Sequence, residues 1–314
     1  MRTIILRRLA ALLPTALLGS LIIFGIVHLT PGGPAAAIAG PDAGPEVIAR
    51  INHELGLDRP ILVQFGSWAW HLAHGDFGRS LMNREYVSTL IAQRLPVTAT
   101  LAIEALILAL LVGVPLGVYA AVRRGTATDT AVKTLSGLTH AFPEFWVGIM
   151  AISLFALQLA WVPATGFVPI SAGVKAHLIS VALPASTLAL GPCSVIVRFT
   201  RSSMVEALGG NYVRTAWALG LTPMQIYWRF ALKNALIPIV TITGIVSGTL
   251  IGGAVLVERV FALPGIGDLL AEGVLQKDFP VVQGATVLMM GIVIFINLVV
   301  DVTCALLDPR TRAS

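Results

Sequence analysis

The sequence predicts an all-α integral membrane protein with six spanning helices. Of its 314 residues, 56% are hydrophobic and only 12% are charged, and the mean hydropathy is +0.86. Soluble domains carry about 25% charged residues, and a soluble core cannot absorb this much apolar surface. Long apolar runs recur along the chain, and Lys and Arg collect in alternate connections between them. These observations together predict a multi-pass bundle in lipid.

Six apolar runs approach or exceed the roughly 20 residues that a helix needs to cross about 30 Å of hydrocarbon. They cover residues 9–29, 97–121, 134–162, 178–200, 234–257 and 281–307. The first run could instead belong to a cleaved signal peptide, because Arg7 and Arg8 precede it and "AAAIAG" follows Pro34. About 21 apolar residues exceed the 7–15-residue core of such a peptide, which favours a retained helix.

The positive charges orient the predicted bundle with both termini in the cytoplasm. With this orientation, 13 of the 21 Lys and Arg residues lie inside, and the outer segments hold the other 8 with 10 acids. The inner cations are Arg2, Arg7, Arg8, Arg123, Arg124, Lys133, Arg198, Arg201, Arg214, Arg229, Lys233, Arg310 and Arg312. The net charge of +5 follows from this topology and does not indicate nucleic-acid binding.

The predicted domains follow from these runs. Residues 1–29 form the N-terminus and first helix, and 30–96 form a small extracytoplasmic subdomain, too short for an independent enzyme domain. Within it, "PEVIARINHELG" and "RPILVQFGSWAWHL" are typical of amphipathic helices, and "GDFGRSL" of a turn. Residues 97–307 form a five-helix core that includes the cytoplasmic loop 202–233, and residues 308–314 form a cytoplasmic tail.

Pro143 divides the third run, because a proline inside a helical pattern kinks or ends the helix. The mixed sequence before it, residues 133–142, is predicted at the cytoplasmic interface. The clean 19-residue span "EFWVGIMAISLFALQLAWV" then starts at Glu144.

Motifs for catalysis and metal binding are missing from the sequence. It contains neither G-x-x-x-x-G-K-[ST] nor H-E-x-x-H, and Ser194 lacks the G-x-S-x-G frame. His71 and His74 lie beside tryptophans, which is more typical of an interfacial aromatic belt than of a metal site. Cys193 and Cys304 are isolated thiols in predicted spans and are interpreted as small apolar fillers. We therefore expect no catalytic residue and no metal ligand.

Ionisable residues inside spans are the usual indication of function in membrane proteins. The sequence offers Glu104, about 10 Å deep in the second run, Glu144, expected near the inner interface, and Asp301, near the end of the last run. They are candidates for lining a transport pathway. The alternative for each is a hydrogen bond between helices close to an interface.

The segment "RTAWALGLTPMQIYWRFALKNALIP" predicts a rigid cytoplasmic corner rather than a flexible linker. A short helix "VRTAWAL" closes at Gly220 in the left-handed conformation. Thr222 is then an N-cap, Pro223 the first helical residue, and Gln225 the partner in a capping box. A second short helix would carry Ile226, Tyr227 and Phe230 on one face. The alternative is a pair of interfacial helices packed on lipid headgroups.

This segment resembles the cytoplasmic loop of ABC-importer permeases, whose pattern is E-A-A-x3-G-x9-I-x-L-P. Aligned on Gly220, the chain has Arg214 in place of the glutamate, and its proline comes late, at Pro238. "YVRTAWALGL" and "FALKNALIP" look like the dipeptide/oligopeptide subfamily. The resemblance continues along nearly the whole chain in "GDFGRSL", "PEFWVGI", "WVPATG", "GGAVLVERVFALPGIGDLL", "FPVVQGA" and "ALLDPRTR".

The resemblance implies that the loop is a coupling helix, which docks on a separate ATPase subunit. The residues carried over for this role are Arg214, Thr215, Ala216, Trp217, Leu219, Gly220, Pro223, Tyr227 and Phe230. It further implies a second permease subunit, two ATPase subunits that hold ATP and Mg²⁺, an extracytoplasmic substrate-binding protein, and a bacterial plasma membrane. The chain itself would be a transport subunit without a cofactor. Di- and oligopeptides are the implied substrates, with nickel chelates, glutathione and haem as open alternatives.

Two other classes of function fit the sequence less well. An ion-coupled secondary transporter typically has inverted repeats and helices broken at the midplane, and no internal repeat is evident. A membrane enzyme would need a nucleophile or metal constellation, and none is found.

Overall fold

The computed structural model describes residues 2–28, 33–40, 43–54, 56–139 and 141–307. In the first part of these ranges the helices are α1 Arg2–His28, α2 Gly33–Ala39, α3 Pro45–Glu54, α4 Ile61–Ala73, α5 Val87–Val122, α6 Ala127–Leu138 and α7 Glu144–Ala151, the last continued by the π-helical turn Ile152–Gln158. After a 3₁₀ turn, Ile170–Ala172, come α8 Val174–Leu208, α9 Asn211–Ala218, the π-helical segment Gln225–Ala231, α10 Leu232–Val260, α11 Ile266–Gln276 and α12 Phe279–Leu307. The predicted tail, residues 308–314, lies outside the described residues.

Four helices are long and apolar enough to cross a membrane: Val87–Val122, Val174–Leu208, Gln225–Val260 and Phe279–Cys304. Two shorter apolar helices, Leu13–His28 and Glu144–Gln158, accompany them in the described part of the chain. The helical membrane class is therefore confirmed. The predicted 19-residue third span is too long, because its helix ends at Gln158 and Ala160 takes a left-handed backbone with φ of 51°. Its 15 residues reach only about 22 Å.

The described chain divides into two compact units. Among the described residues, one comprises Val97–Leu263 and residues 295–307, and the other comprises Arg2–Pro96 and Pro264–Ile294. The segment predicted as an extracytoplasmic subdomain belongs to the second unit, together with the first helix and α11.

Helices α5, α8 and α10 form the core of the first unit. Leu101 and Ala105 of α5, Leu188 of α8 and Leu250 of α10 are buried in one cluster. At Gly117 of α5 a Cβ would lie 2.8 Å from the backbone carbonyl oxygen of Val197, so only glycine permits this approach to α8. Small residues at helix contacts of this kind allow close packing in lipid.

The third apolar run is broken into two helices, α6 and α7, and both pack against α8. Asp129 of α6 is buried and accepts two hydrogen bonds from Arg201 of α8, at 2.6 and 2.8 Å. After residues 139–143, α7 starts at Glu144, with Pro143 as its N-cap residue. The predicted start of the helix at Glu144 is confirmed, and the interfacial position of residues 133–142 stays a prediction. Most of them belong to α6, which packs on α8.

The second unit is held by aromatic and polar contacts near α1 and α4. Phe24 of α1 packs against Phe65 and Trp68 of α4, and His28 lies 2.9 Å from Gln64. The predicted amphipathic helices appear as α3 and α4, and Gly56, whose φ is +64°, lies shortly after the end of α3. Polar pairs also join distant segments of this unit: Ser80 donates to buried Asp278, and Arg94 contacts Asp268 and Glu272.

Candidate functional site

The corner between α8 and α10 has the predicted local conformation. We call residues 209–231 the elbow. The helix α9, Asn211–Ala218, lies within two residues of the predicted "VRTAWAL" helix. Gly220 follows it in the left-handed region with φ of +73°, and the backbone N–H of Leu221 donates to the carbonyl of Ala216 at 3.2 Å. The predicted glycine corner is therefore confirmed.

Thr222 and Gln225 form the predicted capping box. The backbone N–H of Gln225 donates to the Thr222 hydroxyl at 3.4 Å, and the backbone N–H of Thr222 donates to Gln225 Oε1 at 3.0 Å. Pro223 occupies the first helical position, where its missing N–H has no cost. The box satisfies two helix-terminal donors and fixes the direction in which the chain enters the next helix.

The helix after this cap is not a second short helix, which corrects the sequence prediction. Its π-helical turn Gln225–Ala231 runs directly into α10, so Gln225–Val260 is one helix of 36 residues. The wider turn also separates side chains that α-helical spacing places on one face. Ile226 is fully buried, whereas Phe230 is 36% exposed.

A small apolar core holds the two arms of the elbow together. Val213 and Ala216 of α9 are buried against Ile226, with Leu208, Leu221 and Tyr227 packed around them. Ala216 was carried over as a coupling residue, but it faces this core because Val213 and Ala216 share one side of the helix. Its position supports the shape of the elbow and leaves no side-chain surface for a partner.

The outer surface of the elbow carries several exposed apolar side chains. Leu219 is 74% exposed and Met224 is 66% exposed. The large apolar side chains that are exposed between residues 212 and 230 are Tyr212, Trp217, Leu219, Met224, Trp228 and Phe230. Arg214, Thr215, Gly220 and Pro223 are also exposed, and Tyr227 is partly buried with its ring edge-on to Trp217. The sequence analysis missed Tyr212, Met224 and Trp228 as members of this surface.

Glu104 is held by a side chain that the sequence analysis missed. Its Oε1 lies 2.7 Å from Nε2 of His177, which is buried, and His177 Nδ1 donates to the carbonyl of Val168 at 2.6 Å. The pair joins α5 to α8 and favours the alternative of interhelical hydrogen bonding. The sequence signal that could have revealed this pair is His177, which lies one residue before the fourth apolar run.

Glu144 of α7 faces both α8 and α10. A Cβ on Gly191, the midpoint of α8, would be 2.7 Å from Glu144 Oε1. A Cβ on Gly253, about two turns before the end of α10, would be 2.9 Å from Oε2. The carboxylate therefore sits inside the bundle, because α6 occupies the preceding length of α8.

Asp301 is half-buried on α12. Its neighbour Val300 packs against α10 at Gly244, where a Cβ would lie 2.6 Å from the valine methyl groups. This part of α12 is thus a helix contact.

Besides Asp278, two further buried acids were missed as candidate sites, because the hydrogen-bond partner of each is distant in the sequence. Glu258 of α10 accepts a hydrogen bond from Thr98 of α5 at 2.6 Å, and both are buried. Asp129 is bound by Arg201 and also accepts from the backbone N–H of Gly125 at 3.0 Å. The hydrogen bond from Arg201, followed by that from Gly125, holds the pKa of Asp129 well below its usual range. Among the described residues no group of three or more His, Cys, Asp or Glu could hold a metal ion.

Residues 113–313 match the family of the binding-protein-dependent transport system inner membrane component. Residues 1–102 match the N-terminal region of binding-protein-dependent transport system membrane components. The chain belongs to this family. It is thus an ABC importer permease, a transport subunit without catalytic activity of its own and a component of the inner membrane.

The permease is similar over its full length to proteins with peptide-related names. It is 42% identical over 312 residues to a Brucella abortus (strain 2308) protein named as a peptide transport system permease, with 99% of each chain covered. It is 41% identical over 308 residues to a Sinorhizobium fredii (strain NBRC 101917 / NGR234) protein named as a peptide ABC transporter permease, with 98% of each covered. It is also 42% identical to the glutathione transport system permease protein GsiC of Salmonella typhi, over 308 residues and 98% of each chain.

The fold of the permease is similar to that in an inward-facing structure of the MetNI methionine ABC transporter. The TM-score is 0.59 with 19% identity, over 70% of this chain and 96% of the other. The predicted family resemblance is confirmed by these matches, and a binding-protein-dependent ABC system implies ATPase and binding-protein partners.

Proposed function

We propose that this permease imports di- or oligopeptides, and that the elbow transmits ATPase closure to the membrane helices. A second, homologous permease subunit completes the route, two ATPase subunits bind ATP and Mg²⁺ below it, and an extracytoplasmic binding protein delivers the substrate. The observation that carries the coupling role is the elbow itself. It combines a capping box, a buried core and exposed Leu219 and Met224 in one short segment.

The elbow has the physical properties that a docking lever needs. The capping box and the core of Val213, Ala216 and Ile226 make it rigid, so a force on its surface is not lost in local rearrangement. Exposed apolar side chains release water when a partner covers them, which favours association. We propose that Trp217, Leu219 and Phe230 contact an ATPase subunit, and that Arg214, Thr215, Pro223 and Tyr227 complete this surface while Gly220 and Ala216 maintain its shape.

For topology we propose six spans with both termini in the cytoplasm. The third span is broken: Glu144–Gln158 supplies its apolar part, and α6 precedes it with Asp129 and Thr130 on the cytoplasmic side. Residues 30–96 then lie outside, where the binding protein approaches. The Lys and Arg distribution supports this orientation.

Cysteine labelling tests the topology. Both native cysteines, Cys193 and Cys304, are first replaced by alanine. A cysteine at exposed Asn83 should then react with an impermeant thiol reagent in intact cells, and one at exposed Thr130 should react only after lysis. The opposite pattern would reverse the proposed orientation.

Uptake by the complete transporter tests the substrate. The permease is reconstituted in vesicles with its partner permease, ATPase subunits and binding protein, and uptake of a labelled dipeptide is measured with and without ATP. Glutathione is the second candidate, because relatives named for glutathione transport are as similar as those named for peptide transport. ATP-dependent uptake of glutathione with none of the dipeptide would replace the proposed substrate.

A further inference from the structure

Glu144 is a carboxylate inside the bundle without a partner in the described chain. It begins α7 and reaches the seam between the midpoint of α8, at Gly191, and α10, at Gly253. Among the described residues no side chain or backbone group forms a hydrogen bond or ion pair with it. Glu104, by contrast, is bound by His177. Charged groups at membrane depth are costly and usually belong to a pathway for substrate or ions.

The oxygens of Glu144 are accessible. In the described part of the chain, the buried side-chain polar atom without a hydrogen bond is Thr200 Oγ1. Glu144 is half-buried and also lacks a partner, but its oxygens, unlike Thr200 Oγ1, are not fully buried. The carboxylate is therefore not sealed inside the subunit.

Among the described residues the carboxylate has no ion-pair partner, and its two oxygens pack against two glycines. Gly191 and Gly253 lack the Cβ atoms that would collide with the two oxygens. Pro192, next to Gly191, has no N–H to donate to the carbonyl of Leu188 one turn earlier, which adds an acceptor at the same level of α8. Leu188 also contacts this seam, since its Cδ1 would lie 3.1 Å from a Cβ on Gly253. An unpaired carboxylate at the level of a carbonyl without its usual helical donor is suited to bind an ammonium group, which has three donors and no acceptor.

We propose that Glu144 binds the N-terminal ammonium group of a peptide during its passage. This inference rests on the proposed peptide import and gives the bundle a preference for substrates with a free amino terminus. We expect this contact to be transient. One carboxylate and one carbonyl attract the ammonium without enclosing it, so the peptide can leave toward the cytoplasm.

The test compares two peptides in the complete, reconstituted transporter. The probes are a dipeptide with a free amino terminus and its N-acetylated form. Calorimetry first selects a dipeptide for which both forms bind to the binding protein. For Glu144→Gln, uptake of the free peptide should fall about tenfold relative to wild type, as expected for loss of a charge-assisted hydrogen bond. Uptake of the acetylated peptide should stay unchanged. For each peptide, uptake by the variant is divided by uptake by the wild type. Because both transporters use the same binding protein, this ratio removes differences in how the two peptides bind to it.

Two other variants keep the outcome interpretable. Gly191→Ala adds the Cβ that would displace Oε1, and it should cause the same selective loss. Glu104→Gln, at the carboxylate held by His177, is the matched control and should treat both peptides alike. ATPase co-purification with each variant checks assembly.

Several results would overturn the inference. Equal losses for both peptides in Glu144→Gln would assign the carboxylate a structural role, and unchanged uptake of both would show that its charge is not used. Selective loss in Glu104→Gln would transfer the contact to that residue. If the wild-type transporter imports glutathione in an ATP-dependent way but takes up no peptide, the proposed substrate is refuted, and this inference with it.

Discussion

Thr222 and Gln225 hold each other at the start of the helix that leads into α10: each backbone N–H donates to the other residue's side chain, at 3.0 and 3.4 Å. Thr222→Ala removes both the cap acceptor and the hydroxyl that donates to Gln225 Oε1. We expect a local loss of about 1 kcal/mol in helix stability. In vesicles, uptake should fall, because the first turn of the helix frays.

Thr222→Ser is the matched control, since serine caps as well as threonine. It should retain wild-type uptake. Equal activity of the alanine and serine variants would show that the cap does not contribute to transport.

Gly220→Val should uncouple the permease from its ATPase without unfolding the bundle. The glycine has φ of +73°, which costs a residue with a Cβ roughly 1–2 kcal/mol and a β-branched residue most. The space around it is open, so the effect comes from backbone strain rather than collision. We expect normal insertion, weaker co-purification of the ATPase, and lower substrate-stimulated ATP turnover.

Asparagine tolerates the left-handed region, so Gly220→Asn should keep most of the coupling. If Gly220→Val retains wild-type co-purification, stimulation and uptake, the elbow does not couple the subunits. A loss of the folded permease itself would show that the strain spreads beyond the elbow.

Glu104→Leu should impair folding rather than transport alone. The substitution leaves His177 buried without its carboxylate partner. Removing one partner of a buried charged hydrogen bond costs about 1.5–3 kcal/mol. We expect a lower yield of monodisperse permease in detergent and a lower melting temperature, whereas Glu104→Gln retains a hydrogen-bonding group and should be milder. A well-folded Glu104→Leu that fails only in uptake would instead indicate a role in the pathway.

Asp129→Asn should destabilise the permease equally at pH 5 and at pH 8. Binding by Arg201 lowers the pKa of Asp129 in the folded state below its usual 3.8. The ion pair therefore stabilises the fold at any pH above 3.8, and this contribution is lost only as the pH falls from there toward the folded-state pKa. Melting temperatures of wild type and variant, measured in detergent across this range, should differ by a constant amount. A difference that changes between pH 5 and pH 8 would contradict this assignment.

The elbow could be predicted from the sequence because its determinants are local. Gly220 requires no distant residue to turn the chain, and Thr222 meets Gln225 within one turn. The same holds for the start of α7 after Pro143. Each of these features depends on backbone preferences of residues that are neighbours in the sequence.

The missed features depend on contacts between distant segments. Glu104 and His177 are 73 residues apart, Asp129 and Arg201 are 72 apart, and Thr98 and Glu258 are 160 apart. Hydropathy locates helices but does not say which faces meet. For the same reason hydropathy does not show that Glu144 faces Gly191 and Gly253, which are distant from it in the sequence.

The uninterrupted helix Gln225–Val260 has a mechanical consequence. Its 36 residues measure about 54 Å, so a rotation of about 10° at the elbow sweeps the opposite end through about 9 Å. No loop interrupts this helix, and the places at which it can bend are the π-helical turn Gln225–Ala231 and Pro238. The far end carries Glu258, tied to Thr98. If the helix rotates as one body, a small rotation at the elbow displaces Glu258 strongly. Thr98 of α5 must then move with Glu258, or the hydrogen bond between them breaks.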